Sequence, residues 1–250
     1  MKEEQQILNR MKDLGERSYK VGQYTFSGFL SQSEQAVFLQ KEKEFQQYGF
    51  VLNGGWKEAE RRLVRFGNPG ELGYEEGFPI CCVLITPLLK KFADPLTHRD
   101  FLGALMNLGI ERTLIGDILV FDREARVFCV NHIAEFLIEN LDKVCHTSVR
   151  CSIDVGEIPD FEKEMTEVIE TVASIRIDAI IAKLFKLSRN ESLELFRQKK
   201  IFVNSALCEN NSYPPKPEDR ISVRGYGKFI YTGVNHMTKK GKLSVRIKKF

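Results

Sequence analysis

The sequence predicts an α+β protein built from several domains. Strand-like and helical stretches alternate in the order β-α-β-β-α-β between Pro79 and Asp154. Two short helical stretches followed by strand-like stretches occupy residues 176–250. The loop sequence at residues 67–70, which contains two glycines, an asparagine and a proline, has the composition of a domain boundary. Helices and strands arranged in such separate blocks are typical of the α+β class.

The chain length and composition bound the number of domains. The 250 residues, of which 43% are hydrophobic, suffice for two or three folded domains. Changes in composition along the chain predict four regions. They are an N-terminal α+β region at 1–72, a middle domain at 73–156, an acidic connector at 157–174 and a C-terminal domain at 175–250.

The N-terminal region begins with helical patterns. Apolar residues recur at helical spacing over about residues 1–24, which predicts a helix there. Ser31 and Glu34 form a capping box, which predicts a second helix that continues to about Gln47. Residues 50–55 then read as a strand that enters a turn.

A cluster of basic residues follows that turn. The segment 61–66 reads as a possible second strand. The cluster near Trp56 consists of Lys57, Arg61, Arg62 and Arg65. Two interpretations stay open, a secondary contact with RNA or a solvated face, because such runs of charge are common on protein surfaces.

The middle region has the clearest alternation of elements. The predicted elements are strands at 79–86, 115–122, 126–131 and 148–154, and helices at 97–108 and 132–141. This order is the ferredoxin-like pattern that RNA-recognition-motif domains share. Those domains stack bases on aromatic residues of the two central strands, where this chain offers only Phe128. The first strand is apolar on both faces, so we expect both faces to be covered.

The start of the helix at 97–108 carries polar residues of interest. Thr97 and Asp100 form a variant capping box. His98 and Asp100 do not form a catalytic pair, because neighbours two positions apart on a helix do not face each other. His98, Arg99 and Arg112 are instead candidates for secondary contacts with RNA phosphate.

The segment 157–174 is acidic and polar with interspersed β-branched residues. Its pattern fits a helix or an edge strand, and both stay open. We interpret it as a solvated connector in front of the C-terminal domain.

The C-terminal domain carries a strong charge asymmetry. Residues 176–250 hold 17 basic and 6 acidic residues, a local net charge of +11. Since the whole chain has a net charge of +3, residues 1–175 carry −8. A compact basic domain on an acidic body indicates a polyanionic partner that binds one end of the molecule.

The elements of this domain follow from local patterns. Residues 177–184 place four apolar side chains on one helix stripe. Ser188 and Glu191 form a capping box that starts a second helix. Residues 201–203 read as a strand that enters a tight turn at Asn204, because asparagine tolerates positive φ.

Four short motifs in this order carry a resemblance to a known domain. They are Arg176-Ile177-Asp178, Ser188-Arg189, Val203-Asn204-Ser205 and Glu218 through Gly225. Their spacing resembles the S4 RNA-binding domain. Lys199-Lys200, Ser205 and Glu218 stand where that domain usually has glycine. The resemblance implies RNA binding through Arg176, Lys183, Lys186, Ser188, Arg189, Arg197, Lys199, Lys200, Asn204, Arg224 and Lys228.

The middle region adds a second resemblance. The segment Thr97–Arg112, followed by Ile115-Gly116-Asp117-Ile118, resembles the middle domain of the YlmH family of bacterial proteins, which end in an S4 domain. That resemblance implies a factor that binds rRNA or tRNA on the large ribosomal subunit, in translation or ribosome-associated quality control. Genes of this family lie among bacterial cell-division genes, which suggests a protein scaffold at the division site as an alternative.

Other function classes find less support in the sequence. The six cysteines and four histidines lack metal-ligand spacing, so we predict no metal and no cofactor. No glycine-rich loop follows a strand as nucleotide or methyl-donor binding requires, so we expect no catalytic residues and no small-molecule substrate. An RNA-modifying enzyme, either a pseudouridine synthase or a methyltransferase, stays the alternative. The polar start and the lack of a long apolar run predict a cytoplasmic protein without membrane association, and we expect a monomer.

Overall fold

The computed structural model describes residues 2–156, 165–204, 206–238 and 241–249. The chain divides into two compact units, Met1–Ile158 and Pro159–Phe250. Helices and several separate sheets are present, which confirms the predicted α+β class. The division into four regions stays a prediction.

The N-terminal unit contains the predicted helices and strands together with short additions. Its helices are α1 (Lys2–Val21), α2 (Gln32–Gln40), α3 (Glu42–Phe45), α4 (Pro69–Leu72), α5 (His98–Asn107) and α6 (Asn131–Asn140). Its strands are β1 (Thr25–Phe26), β2 (Phe50–Asn53), β3 (Leu63–Phe66), β4 (Ile80–Pro87), β5 (Ile115–Phe121), β6 (Glu124–Val130), β7 (Lys143–Val144) and β8 (Thr147–Asp154).

These strands form two antiparallel sheets. The smaller sheet has the order β1-β3-β2. The larger sheet has the order β5-β6-β4-β8-β7, and each neighbouring pair is antiparallel. Strands β4 and β6 therefore lie in the interior of the sheet. Strand β4 pairs with β6 and β8, and β6 pairs with β4 and β5.

One face of the larger sheet carries the main core of the unit. Val83 and Val127 pack there with Phe101 and Leu105 of α5 and with Leu137 of α6. All five side chains are buried, so this face is closed by the two helices. Burial of such apolar area is the main source of stability in a domain.

The other face is covered where its central aromatic residue lies. The ring of Trp56 lies nearly parallel to the ring of Phe128, with centroids 6.3 Å apart. Phe128 is only 2% exposed. Phe128 therefore does not present an open surface on which a nucleobase could stack.

Two residues of the basic cluster, Arg61 and Arg65, contact the interior of the unit, whereas Lys57 is exposed and keeps both interpretations of the sequence open. Arg61 donates hydrogen bonds from Nε to the carbonyl of Ile115 at 3.0 Å and from Nη2 to the carbonyl of Phe29 at 2.9 Å. Arg65 is 5% exposed, and its guanidinium lies 4.7 Å from the ring centroid of Tyr24. These two cations hold the unit together, because buried charge is stable only with such partners.

Asp117 supplies a matching acidic anchor. Its carboxylate accepts hydrogen bonds from Trp56 Nε1 at 3.0 Å, from the Glu60 amide at 2.8 Å and from the Arg61 amide at 3.0 Å. The segment around Trp56 is thereby fixed to the start of β5. This segment is what closes the sheet over Phe128.

The C-terminal unit places two helices beside one antiparallel sheet. Its elements are β9 (Thr166–Val172), α7 (Ile177–Leu184), α8 (Arg189–Arg197), β10 (Ile201–Val203), β11 (Ala206–Leu207), β12 (Asp219–Val223), β13 (Gly227–Met237) and β14 (Leu243–Lys249). The sheet has the order β11-β10-β12-β13-β14-β9. Ile177, Ile180 and Ile181 of α7 are fully buried in the core against this sheet.

The acidic segment before the basic domain is more than a connector. Residues 166–172 form β9, which pairs along its whole length with β14. The edge-strand alternative therefore describes this part of the segment, and residues 157–164 lie outside the described part of the chain. The pairing joins the acidic strand to the basic strand that ends the described chain.

Two positions at which the resemblance to S4 domains leads us to expect glycine have a left-handed backbone here without glycine. Lys199 has φ 52° and Glu218 has φ 70°. Side chains with a Cβ adopt this region at a cost of about 1 kcal/mol or more. Asn204 also has positive φ, at 50°, as predicted for its turn, whereas Ser205 lies outside the described residues.

Candidate nucleic-acid interface

A groove of about 790 Å³ runs along α7 in the C-terminal unit. We call it the basic groove. Its charged lining residues are Glu170, Arg176, Asp178, Lys183, Lys186 and Arg189. Four of the residues predicted to bind RNA therefore lie together, and cations outnumber anions four to two.

The start of α8 shapes one end of the groove. Ser188 caps this helix by accepting a hydrogen bond from the Glu191 amide at 3.2 Å, and the Glu191 carboxylate accepts one from the Ser188 amide at 2.7 Å. The Ser188 side chain, and after it the Ser188 amide, lower the pKa of Glu191. Arg189, the first residue of α8, thus sits where a helix favours an anion.

Arg176 is held in a defined orientation within the groove. It donates to Asp178 from Nε at 3.0 Å and from Nη2 at 2.7 Å. Asp178 is buried, whereas the Arg176 side chain is about one-third exposed. The hydrogen bonds to Asp178 raise the pKa of Arg176. A guanidinium has five N–H donors, so this pairing leaves donors for a phosphate in a fixed plane.

An exposed tyrosine lies beside the basic groove. Tyr226 occupies the turn between β12 and β13, where its amide donates to the Val223 carbonyl at 3.0 Å. Its ring is 45% exposed and packs against Phe185, with centroids 5.8 Å apart. Phe185 directly follows α7 and precedes Lys186, which lines the groove, so Tyr226 packs against the end of the helix that borders the groove.

Cations surround this turn. Arg224 lies 5.1 Å from the ring centroid of Phe202, and its amide donates to the Lys200 carbonyl at 3.0 Å. Lys228 pairs in register with Ser222 on β12. Lys249 places its Nζ 5.4 Å from the ring centroid of Phe185. The turn therefore joins an exposed aromatic ring to several positive charges.

Other predicted site residues lie outside the basic groove. Arg197 is exposed and pairs with Glu194 at 3.2 Å. Lys199 is exposed on the connection from α8 to β10. Asn204 uses both ends of its amide inside the fold, donating to Asp219 at 2.8 Å and accepting from the Arg220 amide at 2.9 Å. Its role in this structure is to hold the turn.

The candidates in the N-terminal unit behave differently from one another. His98 and Arg99 are exposed at the start of α5. Arg112 instead donates from Nη1 to the carbonyls of Ile115 at 2.6 Å and Gly116 at 3.1 Å. Burial, more than the neighbouring charge of Arg61, lowers the pKa of Arg112 to about 10. Arg112 therefore faces the interior of the unit.

Sequence reasoning missed three residues of this surface. Phe185 directly follows α7, Tyr226 lies in a turn and Lys249 ends the last described strand, so only the fold brings them together. The one local signal was the pair of glycines around Tyr226. Gly225 and Gly227 have φ of 88° and 135°, values that allow the tight turn to expose the tyrosine.

The described residues offer little for other kinds of site. No helix among them is long and apolar enough to cross a membrane. Within the same residues, no group of three or more His, Cys, Asp or Glu side chains could hold a metal ion. The C-terminal unit combines a basic groove with an exposed aromatic ring. Proteins that bind nucleic acids with unpaired bases have the same combination.

Comparisons with known proteins point to one family. Residues 75–155 match a family model described as "Putative RNA-binding domain in YlmH". The chain is 29% identical over 208 residues to the ribosome-associated protein quality control protein P2 of Bacillus subtilis (strain 168), covering 79% of this chain and 76% of that protein. A solved structure, the cell division protein ylmH from Streptococcus pneumoniae, aligns with 20% identity and a TM-score of 0.49, covering 65% of this chain and 94% of that one. The resemblance to the YlmH family is confirmed.

Proposed function

We propose that this protein is a non-enzymatic RNA-binding factor that associates with the large ribosomal subunit. The observation that carries the proposal is the basic groove, which gathers Arg176, Lys183, Lys186 and Arg189 on one surface. Cations at such spacing bind the phosphates of folded RNA. The match to the "Putative RNA-binding domain in YlmH" and the similarity to a ribosome-associated quality control protein support this function.

The finer architecture follows the same reasoning. We infer a ferredoxin-like middle domain, supported by the strand order β5-β6-β4-β8, and a C-terminal S4 domain, supported by two helices in front of β10 and β12. In this proposal the S4 domain grips rRNA or tRNA as a monomeric cytoplasmic factor in translation or its quality control. His98 and Arg99 supply secondary phosphate contacts from the N-terminal unit.

The exposed ring of Tyr226 adds a base contact to the phosphate contacts. A base that stacks on an aromatic side chain gains about 1–3 kcal/mol. The bound RNA then has an unpaired base next to a phosphate track. Bulges, loops and junctions of rRNA and tRNA have this property.

Sedimentation with ribosomal subunits tests the proposal. We expect the full-length protein to migrate with the large subunit in a sucrose gradient at about 50 mM salt. Four phosphate contacts predict that affinity falls on the order of 100-fold when the salt is raised fourfold. Migration that is independent of salt would indicate a protein partner, such as a division-site scaffold, and absence from all ribosomal fractions would contradict the proposal.

A further inference from the structure

Two cysteines face each other across neighbouring strands of the N-terminal unit. Cys81 on β4 and Cys129 on β6 are register partners in an antiparallel pair. Their Sγ atoms are 3.7 Å apart. Directly opposed residues in antiparallel strands have Cα atoms about 4.5–5.5 Å apart. That separation lies within the range of about 4.4–6.8 Å that a disulfide requires.

The two thiols of the pair differ in burial and in pKa. Cys129 is fully buried, whereas Cys81 is half-buried. The hydrogen bond between them lowers the pKa of Cys81, while the same bond, more than burial, raises the pKa of Cys129. Since the thiolate is the reactive form, Cys81 is the thiol set to react first.

A cavity opens to solvent on the other face of the same strand. It has a volume of about 340 Å³, and Cys81 and Cys82 are among the residues that line it. Val155 also lines it and is 95% exposed, so the cavity opens to solvent. This cavity lies on the face of β4 that carries Cys82, opposite the face on which Cys81 packs with Cys129. Access of a small oxidant to Cys81 rests instead on the part of Cys81 that is itself exposed.

The adjacent cysteine provides a contrast within the same strand. Successive side chains of a strand point to opposite faces, so Cys82 lies on the other face from Cys81. Burial, together with the charge of Asp154, raises the pKa of Cys82 to about 12. The pKa of Cys81 is thus lowered and that of Cys82 raised, because their side chains meet different neighbours on the two faces of the strand.

We propose that Cys81 and Cys129 form a reversible disulfide when the protein meets a low-molecular-weight disulfide. The Cys81 thiolate attacks one sulfur of the small disulfide, which forms a mixed disulfide and releases one small thiolate. The Cys129 thiol then loses its proton and attacks Cys81 Sγ, which releases the second small thiolate. The two protons pass to the released thiolates, so two protein thiols are oxidised and one small disulfide is reduced to two thiols.

The pair is a modification site that does not depend on the proposed RNA binding. Its bond would join β4 to β6 within the N-terminal unit, whereas the basic groove belongs to the other unit. Failure of one proposal therefore leaves the other intact.

Peptide mapping after oxidation tests the proposal. The full-length protein, with Cys145→Ser and Cys208→Ser to remove two accessible thiols outside β4, is incubated with oxidised glutathione and digested without reduction. We expect loss of two free thiols and a cross-link between the peptide that holds Cys81 and Cys82 and the peptide that holds Cys129. Dithiothreitol should restore both thiols.

Two further variants assign the bond. Cys82→Ser should keep the cross-link, which can then only involve Cys81. Cys81→Ser, with its fold checked by circular dichroism, should lose the cross-link. A cross-link lost in Cys82→Ser, or a folded wild-type protein that shows only a glutathione adduct and no bond to Cys129, would overturn the proposal.

Discussion

Replacing Lys183 and Arg189 together by glutamate is expected to lower the affinity for RNA on the order of 100-fold at about 0.1 M salt. Both side chains line the basic groove and are exposed. The change removes two phosphate contacts and adds two negative charges at the same positions. Glutamate at the first position of α8 is compatible with the helix, because acidic residues are favoured in the first turn. Filter binding with ribosomal RNA fragments measures the loss.

The matched control for this variant lies on the same helix. Arg197→Glu makes the same kind of charge reversal in the last turn of α8, outside the basic groove. Its pair with Glu194 is exposed and contributes little to stability. The resemblance to S4 domains implies that Arg197 binds RNA, but Arg197 lies outside the basic groove, so we expect only a few-fold loss of affinity from the long-range field. An equal loss in both variants would show that the groove has no special role.

Replacing Asp219 by alanine is expected to lower the free energy of unfolding of the C-terminal unit by about 3 kcal/mol. Asp219 is buried, and its carboxylate accepts hydrogen bonds from Asn204 Nδ2, the Tyr213 hydroxyl and the Lys216 amide, each at 2.8 Å. Alanine would leave all three donors without this acceptor. Domains are stable by only about 5–15 kcal/mol, so such a loss is a large fraction.

Hydrogen exchange can assign that loss to the correct unit. We expect faster exchange in peptides from β12 and β13 of the Asp219→Ala variant, with no change in peptides from β4 and β6. Asn204→Ala is the matched control, because it removes one of the three donors and leaves the carboxylate in place. A loss below about 1 kcal/mol for Asp219→Ala would contradict the role of this carboxylate as the anchor of the turns.

Local sequence patterns predicted the starts of several helices correctly. The capping box of Ser31 and Glu34 is present at α2, and that of Ser188 and Glu191 at α8. At α5 the Asp100 carboxylate accepts from the Thr97 amide at 2.7 Å. These contacts join residues three positions apart, so their chemistry can be read without knowledge of the fold.

Contacts between distant residues explain what the sequence did not predict. Arg61 and Arg65 belong to a charge run that is typical of a surface, yet their partners Phe29, Ile115 and Tyr24 come from other elements. The strand character of residues 166–172 depends in the same way on pairing with β14, far along the chain. Strand pairing and burial of cations are set by tertiary structure.

The candidate site was predicted in part for the same physical reason. Arg176, Lys183, Lys186 and Arg189 lie close together in the chain, so the motif that carries the resemblance to S4 domains also gathers them in space. Tyr226 joins them only through its contact with Phe185. Tyr226 can be recognised as a candidate site residue only in the fold, where the β12–β13 turn packs against Phe185 at the end of α7.

Mapping of photo-cross-links between the protein and ribosomal RNA tests the central claim most directly. Ultraviolet light joins an amino acid to a base that it touches, and mass spectrometry then identifies the peptide. The basic groove and the exposed ring beside it predict adducts on residues 176–189 and on Tyr226. Adducts confined to the N-terminal unit, with none in these segments, would contradict the claim that the C-terminal unit binds RNA.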